Sequence, residues 1–209
     1  MTEKLRQVLA FGDRELHEKQ PKTEIDTKPE EYTKEQQEMK QGKLHIGFST
    51  PVYFGDPDFP KMQIFNGIFG GYAHSKLFMN VRERESLAYY ASSSYSSQYG
   101  LVFVTSGIEP SNEKKAIDVI NEQLKVMQNG EISDLELTQT KAMLTNQLKE
   151  ALDSARGQIE IYDQYKDLNE VFTFDTWASR WQQVSKEDVQ QMAKQVKQEA
   201  IYFLCGKED

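Results

Sequence analysis

The run SLAYYASSSYS, residues 86–96, is followed after only SQYG by LVFVTSGI, residues 101–108. Both runs are rich in Tyr, Val and Phe, which suit a pleated, half-buried backbone. The short link leaves no room for a crossover, so the two runs pair antiparallel. That one hairpin excludes an all-parallel, doubly wound sheet. Two more runs can join it. In LHIGFS, Leu44, Ile46 and Phe48 alternate and mark a strand with one buried face. AIYFLCG, from Ala200, reads as a buried closing strand. Strands are therefore expected at Leu44–Thr50, Leu87–Ser94, Leu101–Gly107 and Ala200–Cys205.

The segments between them carry helical signals. Met62, Phe65, Ile68 and Phe69 recur at helical spacing between Asp58 and Gly70, and Ser75–Arg84 reads helical again after Gly70-Gly71. Ser111 is expected to cap a helix that runs to Gln128 and stops at Asn129-Gly130. Ser133 followed by Glu136 is a capping box that opens a long helix with an apolar stripe of Leu137, Leu144, Leu148, Ala151, Leu152 and Ala155. Ser185 and Asp188 form a weaker version before a helix to about Gln198. The order β-α-α-β-β-α-α-(α)-α-β gives an α+β domain: a mainly antiparallel sheet with helices packed on one face.

Residues 1–40 stand apart. ELHEKQPKTEIDTKPEEYTKEQQEMKQGK is almost wholly polar and cannot bury enough apolar surface to fold alone. It reads as an arm or linker after a short helix around Glu3–Ala10, with the domain at 41–209. The 209-residue length suits one such domain plus an appendage. With 25 Lys and Arg against 33 Asp and Glu, the net charge of −8 argues against a general nucleic-acid binder. A single cysteine, Cys205, cannot form an intrachain disulfide, which points to a reducing, cytoplasmic setting. The first residues lack the apolar core of a secretory signal, and no run is long and apolar enough for a membrane span.

A search for chemistry yields little from residue types alone. The three histidines, His17, His45 and His74, form neither HxxEH nor HExxH, the spacings that place two zinc ligands and a base on one helix face. Surface, packing or capping roles account for them, and no metal site is expected. Cys205 reads as a buried, inert thiol, and the methionines of the helical stripes as core filler. Phosphate-binding and nucleophile-elbow motifs are absent from the sequence. Gly70-Gly71 reads as a helix–helix turn that requires positive φ.

One stretch carries more. FNGIFGGYAHSKLFMNVRERESLAYYASSSYSSQYGLVFVTSG resembles the characteristic segment in the C-terminal half of M16 (insulinase/pitrilysin-like) zinc peptidases and their relatives. The matching positions are Gly70, Gly71, Ser75, Leu77, Phe78, Val81, Arg82, Glu83, Arg84, Leu87, Ala88 and Tyr89. A less specific likeness extends over about residues 40–205, nearest to the bacterial, processing-peptidase-like members. The resemblance implies the LuxS/MPP-like metallohydrolase fold and a peptidase of two homologous halves that close over a peptide. In that family the N-terminal half holds zinc through HxxEH. The C-terminal half contributes an arginine and a tyrosine, seven residues apart, which reach the substrate. Arg82 and Tyr89 match that pair, and Gly70 and Gly71 match a candidate substrate-chamber loop. An arginine fork can grip a carbonyl or carboxylate, and a tyrosine hydroxyl can donate to a developing oxyanion.

The resemblance thus implies a substrate-binding half with no catalytic or metal-binding residue of its own. Zinc is expected only in a partner N-terminal half, from the same polypeptide or a separate subunit, and a peptide is the expected substrate. The polar arm looks like an inter-half linker, which favours a fragment of a longer protein. A non-catalytic structural or assembly subunit of the same fold stands as the alternative. A stand-alone small-molecule enzyme would need a His/Cys/Glu cluster that the sequence lacks.

Overall fold

The computed structural model describes residues 31–166, 168 and 171–206, together with Lys4 and Gln7. Lys4 and Gln7 are helical; the rest of the helix expected around Glu3–Ala10, and the polar arm up to residue 30, lie outside the described residues. Five strands form the sheet: β1 (Glu31–Gln37), β2 (Gly42–Ser49), β3 (Ala88–Ser96), β4 (Leu101–Ile108) and β5 (Lys197–Gly206). Their order across the sheet is β1-β5-β2-β4-β3. The pairs β5–β2, β2–β4 and β4–β3 are antiparallel, and β1 joins β5 in parallel.

Alternation sets which face is buried. Leu44, Ile46 and Phe48 of β2, Val102 and Val104 of β4 and Phe203 of β5 are fully buried against the helices. Their neighbours His45, Phe103, Tyr90 and Tyr202 point to the other side, which no helix among the described residues covers and where Phe103 is 41% exposed. The helices are α1 (Phe59–Asn66), α2 (Glu113–Gln128), α3 (Asp134–Leu152), α4 (Ala155–Tyr165), α5 (Phe174–Gln183) and α6 (Lys186–Gln195), with a π-helix at Leu77–Arg84. Phe65, Ile68 and Phe69 drive the first helical segment into the sheet, with Phe69 edge-on to Phe48. Phe59, Tyr165, Phe172, Trp177 and Trp181 form a second, aromatic part of the core beneath α4 and α5.

Several expectations change in detail. β1 lies inside the segment read as a polar arm or linker. It is nearly all polar because it is an edge strand: its backbone is satisfied by β5, and its side chains reach across to helix and sheet. Tyr32 and Lys34 both bind Glu113 of α2, Lys34 at 3.0 Å, while the Tyr202 hydroxyl donates to Glu35 at 2.9 Å. Ser111 does not cap α2. It sits in a 3-10 turn, Pro110–Asn112, and Asn112 takes the cap position. The long helix breaks at Asp153-Ser154, where Ser154 recaps α4 through the Gly157 amide. Both capping boxes form, and the Ser185–Asp188 box is complete, with bonds of 3.1 and 2.9 Å.

Gly70 and Gly71 do not form a positive-φ turn or a loop. They end a π-helical turn, Gly67–Gly71, that continues α1. Among the described residues the positive-φ glycines are Gly55, Gly100 and Gly130. Gly70 is glycine for a different reason: a Cβ there would lie 2.6 Å from the backbone nitrogen of Ser93 in β3. The helix is pressed against the sheet with no room for a side chain.

Candidate functional site

The site predicted from sequence is built where the π-helix hands over to β3. Leu77 and Val81 are buried and anchor the helix, and the charged residues that follow, Arg82, Glu83 and Arg84, stay at its surface. The π-helix ends with Arg82-Glu83-Arg84, where cations favour the negative end of the helix dipole. Ser86, at φ 50°, then turns the chain, and the Leu87 amide bonds back to the Val81 carbonyl at 3.0 Å. Lys115 of α2 clamps Glu85 at 2.9 Å and ties this turn to the body of the domain.

Arg82 is 41% exposed in its side chain. Its guanidinium lies over the Phe78 ring, 4.6 Å from the centroid, with Nε 3.6 Å from Glu83. Tyr89 is a bulge residue: Ala88 pairs with Ile108 and Tyr90 with Gly107, so Tyr89 has no partner in the ladder. A bulge re-aims a side chain, and Tyr89 stands 59% exposed with its hydroxyl donating to Glu109. That hydrogen bond, and then the carboxylate's charge, hold the phenol's pKa above its ordinary value. Arg82 and Tyr89 are thus presented at the same helix–strand junction, each held by its own carboxylate rather than by the other. Arg84 is also exposed, beside the clamped Glu85.

Glu109 was not visible as a site residue in the sequence. It lies 20 residues from Tyr89 and reaches it only through the β3–β4 register. Counting that hairpin register from the SQYG turn is the one signal that could have found it.

The other candidates fall elsewhere. Gly70 is buried under β3, away from the junction, and Gly71 is exposed beside Asn66. His45 lies on the uncovered sheet face near Tyr202, and partial burial, then Lys43, lower its pKa. His74 lies in the helical layer, stacked on Tyr72 and 2.8 Å from the Thr140 hydroxyl, its pKa also lowered by burial. Among the described residues no three His, Cys, Asp or Glu side chains converge as a group that could hold a metal ion. Cys205 is buried in β5.

Comparison with known proteins concerns the domain as a whole. Residues 3–144 match the family model described as the Peptidase M16 inactive domain. A Bacillus subtilis protein named probable inactive metalloprotease YmfF is 41% identical over 189 residues, which is 90% of this chain and 42% of that protein. The crystal structure of a conserved protein from Enterococcus faecalis superposes with a TM-score of 0.83 at 39% identity, covering 91% of this chain and 44% of the other. A peptidase M16 inactive domain from Pseudomonas fluorescens shares the fold, with a TM-score of 0.71 at 16% identity over 90% of this chain and 47% of its own. The chain therefore spans less than half the length of each of these three proteins.

Proposed function

Because this chain belongs to the M16 peptidase family, as a domain of its inactive type, we propose that it is the non-metal, substrate-binding C-terminal half of an M16-like zinc peptidase. It works with a zinc-bearing N-terminal half in peptide proteolysis. The observation that carries the reading is the junction itself: Arg82 and Tyr89 emerge together from the end of the π-helix and the bulge at the start of β3. In this reading Arg82 leaves Phe78 and Glu83 to grip a peptide carbonyl or carboxylate. Tyr89 turns its hydroxyl from Glu109 to a carbonyl oxygen that gains charge. Zinc belongs to the partner half, where it supplies the activated water; no step falls to a metal held by this chain. The lone cysteine supports a reducing, cytoplasmic setting, and the acidic balance supports a peptide rather than a nucleic acid as ligand.

A second reading has one observation in its favour. The relative at 41% identity bears the name of an inactive metalloprotease, which supports a non-catalytic structural or assembly subunit of the same fold. One experiment separates the two. The chain is joined with an active zinc-bearing half, and peptide hydrolysis is followed for Arg82→Ala, Tyr89→Phe and the control Arg84→Ala. The peptidase-half reading expects the first two to lower kcat/KM by roughly 100-fold each, with Arg84→Ala near wild type. A silent Tyr89→Phe, or equal losses at Arg82 and Arg84, would refute it.

A further inference from the structure

A cavity of about 360 Å³ lies at the C-terminal end of β3, roughly 16 Å along the strand from Tyr89 and outside the junction. Its strand side is closed. The Phe54 amide donates to the Ser97 carbonyl at 2.9 Å, and Gly70 packs against the Ser93 backbone. What the cavity offers a guest is therefore side chains. Among the described residues no charged side chain lines it, although charged residues are 28% of the chain. An ion entering it would lose water without gaining a counter-charge. α1 and the π-helical turn after it also end here, at Gly71, and the negative end of their dipole disfavours an anion.

Three side-chain amides in its wall are oriented by their oxygens. Gln63 Oε1 accepts from the Trp181 indole, Asn66 Oδ1 from the Ser93 hydroxyl and Gln147 Oε1 from the Tyr72 hydroxyl, each at 2.8 Å. Among the described residues no protein group accepts from the three amide nitrogens. The Gln63 and Asn66 nitrogens are not sealed in the interior, and Gln147 is exposed, so these donors are open to a guest. Beside them stand the rings of Phe59, Tyr72 and Tyr95, and Gln164 adds an amide oxygen that can accept. Fixed N–H donors, an acceptor, apolar ring faces and no charge suit a molecule with hydroxyls around its rim and C–H bonds on its faces. The volume is at the small end for ligand sites, with room for one or two rings rather than a chain.

We propose that this cavity binds an uncharged pyranose sugar, whose hydroxyl oxygens take hydrogen bonds from the amides of Gln63, Asn66 and Gln147 while a ring face lies against the aromatic wall. A sugar hydroxyl that accepts from one of these nitrogens keeps its own hydrogen to donate, and the Gln164 oxygen is within the same lining to receive it. The site goes beyond the peptidase-half reading and stands whether or not that reading holds, because it shares no residue with the junction.

The test uses the isotope-labelled chain, with glucose, galactose, mannose and N-acetylglucosamine as probes. Nuclear magnetic resonance follows the side-chain amide signals of Gln63, Asn66 and Gln147. The expected result is that at least one of the four sugars shifts these signals saturably, with a dissociation constant on the order of millimolar. The anionic counterpart glucuronate binds at least about fivefold more weakly. Gln147→Met, at an exposed position of α3, removes one donor at nearly constant side-chain length and weakens the sugar by about fivefold, with an unchanged unfolding midpoint showing that the fold is intact. No saturable shift with any of the four sugars overturns the proposal. So does glucuronate binding as tightly as the neutral sugars, or full affinity in Gln147→Met. An equal response to glycerol at the same hydroxyl concentration also overturns it, since that would be the effect of a cosolvent rather than of a ring held in a site.

Discussion

Gly70→Ala is the sharpest check on how this fold is assembled. The added Cβ would sit 2.6 Å from the Ser93 nitrogen, 2.7 Å from Leu77 Cδ1 and 2.7 Å from the Ser93 hydroxyl. The first of these is backbone in a paired strand and cannot swing aside as a side-chain tip can. Alanine in a helical turn returns up to about 1 kcal/mol over glycine. Overpacking a close-fitted site costs about 1–3 kcal/mol, and a backbone obstacle places this one at or above the upper end. The net expectation is a loss of about 2 kcal/mol, or a fall in Tm of roughly 4–8 °C for a domain of this size. Gly71→Ala is the internal control. It occupies the same helical turn, but it is exposed, and its Cβ would meet Asn66 at 3.1–3.2 Å, a contact that small shifts relieve. Denaturant unfolding of both variants, followed by circular dichroism, gives the comparison. If Gly70→Ala were neutral or stabilising while Gly71→Ala was not, the close helix–strand contact would not be what requires glycine at position 70.

Lys76 is only 8% exposed and pairs with Glu136 at 2.9 Å, while Glu136 also accepts from the Ser133 amide and hydroxyl. Glu136→Gln keeps the helix cap but strands the ammonium, and should cost about 3–5 kcal/mol. Lys76→Met leaves the carboxylate bonded to Ser133 and should cost clearly less, so equal losses in denaturant unfolding would count against the pair. Burial raises the phenols of Tyr72 and Tyr165 to about 12, and that of Tyr95 further still. Each folded pKa lies above the unfolded value of about 10, so their contribution is complete below that pH and is lost as pH rises towards 12. Unfolding midpoints should therefore fall steeply in that window, and a flat profile there would contradict the burial of these side chains. The purified chain should hold no stoichiometric zinc after dialysis and should not hydrolyse peptides by itself; one zinc per chain by elemental analysis, or chelator-sensitive cleavage, would refute this.

What the sequence determined by itself is what short-range physics controls. The SQYG link forces an antiparallel hairpin because its ends are too close for any other route. Ser133–Glu136 and Ser185–Asp188 start helices because each box closes within four residues. Alternation in Leu44, Ile46 and Phe48 sets the buried face of β2 because successive side chains point to opposite sides. The junction residues Arg82 and Tyr89 were legible only through a family-like motif, since an arginine in a charge run and a tyrosine in a strand have no local mark of function. Tertiary structure decided the rest, because those features depend on groups far apart in the chain. β1 became a strand only by pairing with β5, some 169 residues on (Glu31 opposite Ala200), which no local pattern in EYTKEQQ announces. Gly70 needed its glycine not for its own φ but for the backbone of Ser93, brought there by the packing of a helix on a sheet. Glu109 met Tyr89 because a bulge in one strand shifted the register against the other. The cavity lined by Gln63 and Asn66 of α1, Gln147 of α3 and Ser93 to Tyr95 of β3 is assembled from segments far apart in the chain, a shape that no single segment of sequence contains.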